Sequence, residues 1–124
     1  MHGGVPMRVL VIEDNGELRD YLRVALEAQG YEVRTADNGR TALPYLEGHG
    51  VDVVLTDLYM PEMDGIETLA TLQQRFPRVR VIAMSGKPST HMPVMEQLGA
   101  YRVLKKPFGI EELYDALEDL KKAA

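Results

Sequence analysis

Reactive side chains cluster where the apolar runs of this chain give out. Glu13-Asp14 follows the run 7–12, Asp57 follows 51–56, Ser85 follows 79–84, and Lys106-Pro107 comes just after 101–104. Singly, each has an ordinary use, as a helix cap, a turn residue or a surface cation. Together they form a set suited to phosphoryl chemistry. A carboxylate oxygen can attack phosphorus and become an acyl phosphate. A lysine and a hydroxyl can then neutralise and hydrogen-bond the phosphoryl oxygens. Glu13, Asp14 and Asp57 against Lys106 leave a formal charge of −2. Two like charges ~5 Å apart repel by about 3 kcal/mol at an effective dielectric near 20. A divalent cation cancels that excess, and all-oxygen ligands with no His or Cys beside them favour a hard ion such as Mg2+.

The elements that must carry these groups alternate along the chain. Residues 7–12 read as a short buried strand, and Asn15 caps a helix whose Leu18, Leu22, Ala25 and Leu26 share a face until Gly30 ends it. Residues 31–36 alternate as a second strand. A helix near 40–47 contains Pro44, which removes a donor and predicts a kink or a late start. Residues 51–56 form the third strand, 66–75 a helix stopped by Phe76-Pro77, and 79–84 the fourth strand. Pro88 and Pro93 leave only 93–98 for a short helix. Val103-Leu104 belong to a fifth strand, and 110–122 is amphipathic, with Ile110, Leu113, Ala116, Leu117 and Leu120 as its stripe. Five strands alternating with five helices predict an α/β fold: a doubly wound, mostly parallel sheet covered on both faces. In such sheets ligands bind outside the carboxyl ends of the strands. All of the reactive residues fall on that rim.

Composition narrows the function classes. The 124 residues predict one domain, with 1–6 as a flexible extension, and 45% apolar with 27% charged residues is an ordinary globular balance. No cysteine means no thiol chemistry and no disulfide. No apolar run approaches the ~20 residues that span a bilayer, and the start lacks signal-peptide character, so a cytoplasmic location is expected. A net charge of −5 argues against direct nucleic-acid binding. No Gly-x-x-x-x-Gly-Lys-Ser/Thr loop is present, which excludes the usual nucleotide cradle. His2, His49 and His91 show no metal-ligand spacing.

The motifs Val-Leu-Val-Ile-Glu-Asp-Asn around Glu13, Asp-x-x-x-Pro-x-x-Asp-Gly from Asp57 to Gly65, Ala-Met-Ser-Gly around Ser85 and Leu-Lys-Lys-Pro-Phe around Lys106 occur in that order. Over nearly its whole length the chain resembles the receiver domains of two-component response regulators. The resemblance implies a flavodoxin-like sheet of order 2-1-3-4-5 with five helices. It implies Asp57 as phosphoacceptor, served by a histidine kinase or phosphotransfer protein or by a small phosphodonor. Mg2+ would be held by Asp14, Asp57 and the backbone carbonyl of Tyr59, with Glu13 acting through water. Ser85 and Lys106 would sense the phosphate, and the Lys106-Pro107 bond would be cis. Such a domain is a switch read by an output protein or effector domain; it assists its own phosphorylation and dephosphorylation without being a turnover enzyme.

One departure bears on the switch. Where the family commonly has Tyr or Phe, three residues before the lysine, this chain has Val103. Tyr101 lies two residues earlier, on the same face of the strand by alternation. Switching is therefore expected to use the segment 86–93 more than an aromatic rotamer. Tyr59 and Lys87 border the site as modulators or as plain cover. The alternative is a receiver-fold interaction module not controlled by phosphorylation. A small-molecule aspartyl-phosphate hydrolase is disfavoured, because that class usually needs a second Asp two residues after the nucleophile and Tyr59 stands there.

Overall fold

Strand stretches as apolar as 9–12 and 53–55 cannot leave either face in water, and both faces are covered. The computed structural model describes residues 5–57, 65–86, 93, 95 and 97–123. The elements run β1 (Arg8–Ile12), α1 (Gly16–Ala28), β2 (Glu32–Ala36), α2 (Gly39–Gly48), β3 (Val53–Asp57), α3 (Gly65–Arg75), β4 (Arg80–Ser85), β5 (Arg102–Lys105) and α4 (Ile110–Ala123). Of the short helix expected over 93–98, residues 93, 95 and 97 are described and helical. Among the described residues no helix is long and apolar enough to cross a membrane.

The five strands are all parallel and ordered β2-β1-β3-β4-β5. Alternation along each strand sorts the core into two layers. Val9, Val11, Val53, Leu55, Ile82 and Met84 pack with Leu22 and Leu26 of α1 and with Leu113 and Leu117 of α4. Leu10, Ile12, Val54, Val81 and Ala83 face the other way, onto Ala42 and Leu46 of α2 and Leu69 and Leu72 of α3. Each large side chain fully buried in this way contributes ~1.5–3 kcal/mol.

Local signals set the helix ends. The Asn15 side chain accepts from the Leu18 N–H at 2.9 Å, and that of Asn38 accepts from the Thr41 N–H at 3.0 Å. Gly30, just past α1, has φ +91, the left-handed value that glycine adopts freely. Pro44 does not delay α2, which begins at Gly39 and is helical through it. Its missing N–H removes one helical donor to the Arg40 carbonyl.

Two strand boundaries differ from the pattern for a clear reason. β3 begins at Val53 rather than Val51, because Asp52 works as a clamp on the amino ends of three strands. Its N–H donates to the Arg8 carbonyl, its carbonyl accepts from the Arg80 N–H, and its carboxylate accepts from the Arg8 N–H at 2.8 Å and from the Arg8 guanidinium. β5 begins at Arg102, leaving Tyr101 in a bend before it. Tyr101 therefore escapes the alternation expected of it. Its ring lies near the guanidinium groups of both Arg80 and Arg102 and packs on the layer that holds α4, whereas Val103 packs on the opposite layer.

Burial would raise the Asp52 carboxyl, but the hydrogen bonds from Arg8 outweigh it and hold the group below its ordinary value. A depressed carboxylate stabilises the fold above its unfolded-state pKa, and that contribution is lost as pH falls through the folded value. Both partners are about two-fifths exposed, so solvent screens the pair. Asp52→Asn is expected to cost about 0.5–1 kcal/mol near neutrality, with the difference closing below about pH 4; urea unfolding from pH 3 to 7 measures it. Gly99, with φ +84, has the Gln73 side chain 2.6 Å from where a Cβ would sit. Gly99→Ala should lower the unfolding free energy by about 1–2 kcal/mol in the same assay.

Candidate functional site

Register brings the reactive residues together. Ile12 pairs with Thr56, so Glu13 falls level with Asp57, which pairs with Met84. One step further, Ser85 pairs with Lys105, beside Lys106. β1 lies between β2 and β3, so the loops after β1 and β3 flank the point where the winding reverses. Because the middles of β1, β3 and β4 are apolar and buried, the buried polar residues Glu13, Asp57 and Ser85 fall at this rim.

Glu13 and Asp57 are almost fully buried, at 1% and 5% exposure, while Asp14 is exposed. Carboxylate oxygens of all three lie within 4.8 Å of one another. Lys106 Nζ sits between the buried pair, donating to Glu13 Oε1 at 3.0 Å and to Asp57 Oδ2 at 2.8 Å. The other Glu13 oxygen accepts from the Asn15 N–H at 3.1 Å. Burial pushes the Glu13 carboxyl above its ordinary range, against the pull of Lys106 and the Asn15 N–H, and the neighbouring Asp57 adds to the rise. Burial alone would lower Lys106; its hydrogen bonds to Asp57 and Glu13 outweigh that and leave it raised. The lysine is thus kept charged by the carboxylates it serves.

Ser85 is fully buried at the end of β4, and its carbonyl accepts from the Lys106 N–H at 2.7 Å. The Lys106–Pro107 peptide bond is cis, as the resemblance implies. Tyr59 and Lys87 lie outside the described residues, as does most of the segment 86–93. Val103 pairs with Ala83 in mid-strand, and Tyr101 is held at the amino end of the sheet; neither is brought to the carboxylates. Next to Lys106 runs an apolar groove of about 360 Å³ lined by Leu18, Tyr21, Leu22, Pro107 and Phe108.

Arg19 also belongs to the site's frame, although no motif singles it out. Its guanidinium donates to the Glu13 carbonyl at 2.8 Å. A cation in the first turn of a helix opposes the helix dipole, and that mismatch is the signal by which sequence could mark it.

Three oxygen donors at the reversal point of a parallel sheet, two of them buried against a lysine, form a set that can hold a hard cation beside a phosphoryl group. Residues 9–118 match the family model of the response regulator receiver domain. The response regulator receiver protein CpdR of Brucella abortus is 34% identical over 118 residues, covering 94% of this chain and 98% of that protein. The regulatory protein AtoC of Escherichia coli is 38% identical over 107 residues, but this chain spans only 23% of it. Among solved structures, the response regulator TrrA of Thermotoga maritima, in complex with Mg2+ and BeF, has a TM-score of 0.84 at 26% identity, covering 92% of this chain and 98% of that one. The chain belongs to the receiver domains of two-component response regulators.

Removing Lys106 takes away the ammonium that bridges the two buried carboxylates of Glu13 and Asp57. In metal-free buffer Lys106→Met is expected to lower the unfolding free energy by roughly 1.5–3 kcal/mol. Adding Glu13→Gln should recover part of the loss, because the pair is coupled. Urea unfolding of the single and double variants checks this, and strict additivity would contradict it.

Proposed function

We propose that Asp57 is the phosphoacceptor of this receiver domain. One observation carries the reading: the Asp57 carboxylate is buried, yet it lies within reach of Glu13 and Asp14 and is held by the Lys106 ammonium. Burial strips competing water from the carboxylate, and the lysine aims one of its oxygens. That oxygen attacks phosphorus, the bond from phosphorus to a donor nitrogen or acyl oxygen breaks, and Asp57 becomes an acyl phosphate. Lys106 then keeps its positive charge beside the new phosphoryl oxygens, and the Ser85 hydroxyl is the hydrogen-bond partner at the end of the adjacent strand.

The chemistry of the donor set supports Mg2+ as the cofactor. Asp14 and Asp57 would be its direct carboxylate ligands, with the backbone carbonyl of Tyr59 as a third and Glu13 acting through water. When bound, the ion neutralises the excess negative charge so that a phosphoryl group can approach a carboxylate. The phosphodonor is a histidine kinase or phosphotransfer protein, or a small acyl phosphate, and the apolar groove beside Lys106 offers a protein donor a surface at the rim of the site. Phosphorylation adds roughly −1.5 to −2 of charge, which biases the conformation that an output protein or effector domain reads. The domain acts in the cytoplasm, as a single unit, and assists its own phosphorylation and hydrolysis without turning over an external substrate.

Incubation with acetyl phosphate and Mg2+ is expected to add one phosphate to the intact mass. Chelation of the metal and Asp57→Asn should each abolish the adduct. An adduct that survives Asp57→Asn would move the acceptor elsewhere. No adduct in the wild type would favour an interaction module that does not use phosphate.

A further inference from the structure

Every polar atom of Glu13 has a partner. Its N–H donates to the Ala36 carbonyl at 3.0 Å, its two carboxylate oxygens accept from Lys106 and from the Asn15 N–H, and its carbonyl accepts from Arg19 at 2.8 Å. The last contact is the unusual one. β1 ends at Ile12, so the Glu13 carbonyl lies past the last paired residue of the strand. The donor that reaches it comes from the first turn of α1, where the side chain leans back toward the helix start. A cation there has the wrong sign for the helix dipole, so neither the helix nor its capping explains an arginine at 19. Asn15 already caps α1.

We infer that Arg19 is a positioning residue for the cation site: its hydrogen bond to the Glu13 carbonyl fixes the turn that presents Asp14. Asp14 is the exposed member of the carboxylate trio and follows directly on the carbonyl that Arg19 holds. Its own side chain accepts none of the bonds that hold Glu13. Its direction is set by the backbone on either side, namely by the Glu13 carbonyl before it and by the Asn15 N–H after it, which donates to Glu13 Oε2. Arg19 closes one side of this loop and Asn15 the other. The inference rests on the phosphoacceptor reading above, in which Asp14 is a metal ligand.

The sign of the effect is what makes this testable. A guanidinium acting only through its charge would repel a divalent cation, so its removal would tighten Mg2+ binding. A guanidinium that holds the ligand loop in place does the opposite, since outer partners of metal ligands typically contribute tenfold or more to affinity. Calorimetric titration of the full chain with MgCl2 should show Arg19→Met weakened by about tenfold. Its metal-free melting temperature should stay near that of the wild type. Arg19→Lys, which keeps a donor on a shorter stem, should recover most of the affinity. Unchanged or tighter Mg2+ binding in Arg19→Met would overturn the inference. So would an equal loss in both variants accompanied by a matching fall in metal-free melting temperature, which marks general destabilisation. A wild-type chain that binds no Mg2+ would instead sink the metal-site reading itself, so the two failures are distinguishable.

Discussion

The bridge from Lys106 to Glu13 and Asp57 is the interaction on which the rest of this domain depends. Two carboxylates at 1% and 5% exposure cannot share a sheet end unless something positive lies between them. The lysine that does so arrives from β5, at the far side of the sheet from β1. Its reach therefore ties the sheet's order to its charge balance. The same contact leaves the trio with one positive charge against three negative ones, an excess that suits a divalent ion.

The scaffold explains why such a cluster can exist at all. Two apolar layers fill both faces of a parallel sheet, so the central strands β1, β3 and β4 bury only apolar side chains between their amino ends and their carboxyl ends. Register then decides which ends meet. Ile12 opposite Thr56 and Ser85 opposite Lys105 place acid beside acid and hydroxyl beside lysine. At the other end of the sheet, Asp52 and Arg8 hold β1, β3 and β4 level. A slip of one residue would carry every core side chain to the wrong face, and it would also separate Glu13 from Asp57.

Much of this was legible in the sequence, because the alternating apolar runs leave few other ways to bury the chain. The strand ends, the Asn15 cap and the convergence of Glu13, Asp14, Asp57 and Lys106 follow from periodicity and from the rule for parallel sheets. Tyr101 departs from the alternation because alternation holds only inside a strand. β5 starts one residue later, and the bend lets the ring turn toward Arg80 and Arg102. Val51 has the apolar character of a strand residue, whereas the clamp at Asp52 sets the true start of β3 at Val53. Arg19 went unmarked because a hydrogen bond to a backbone carbonyl leaves no trace in residue type beyond a charge of the wrong sign for its helix.

The domain can then be read as a charge-balanced socket. Sheet topology supplies the acids and one lysine bridges two of them; under the proposed function a cation would join the lysine, and phosphate at Asp57 would upset the balance that Lys106 maintains. The most direct test is to locate the phosphate chemically. The chain is treated with acetyl phosphate and Mg2+, reduced with borohydride to convert any acyl phosphate to the corresponding alcohol, and mapped by peptide mass spectrometry. Reduction confined to position 57 is the predicted result. Reduction at Glu13, Asp14 or any other carboxylate, with Asp57 intact, would contradict the account.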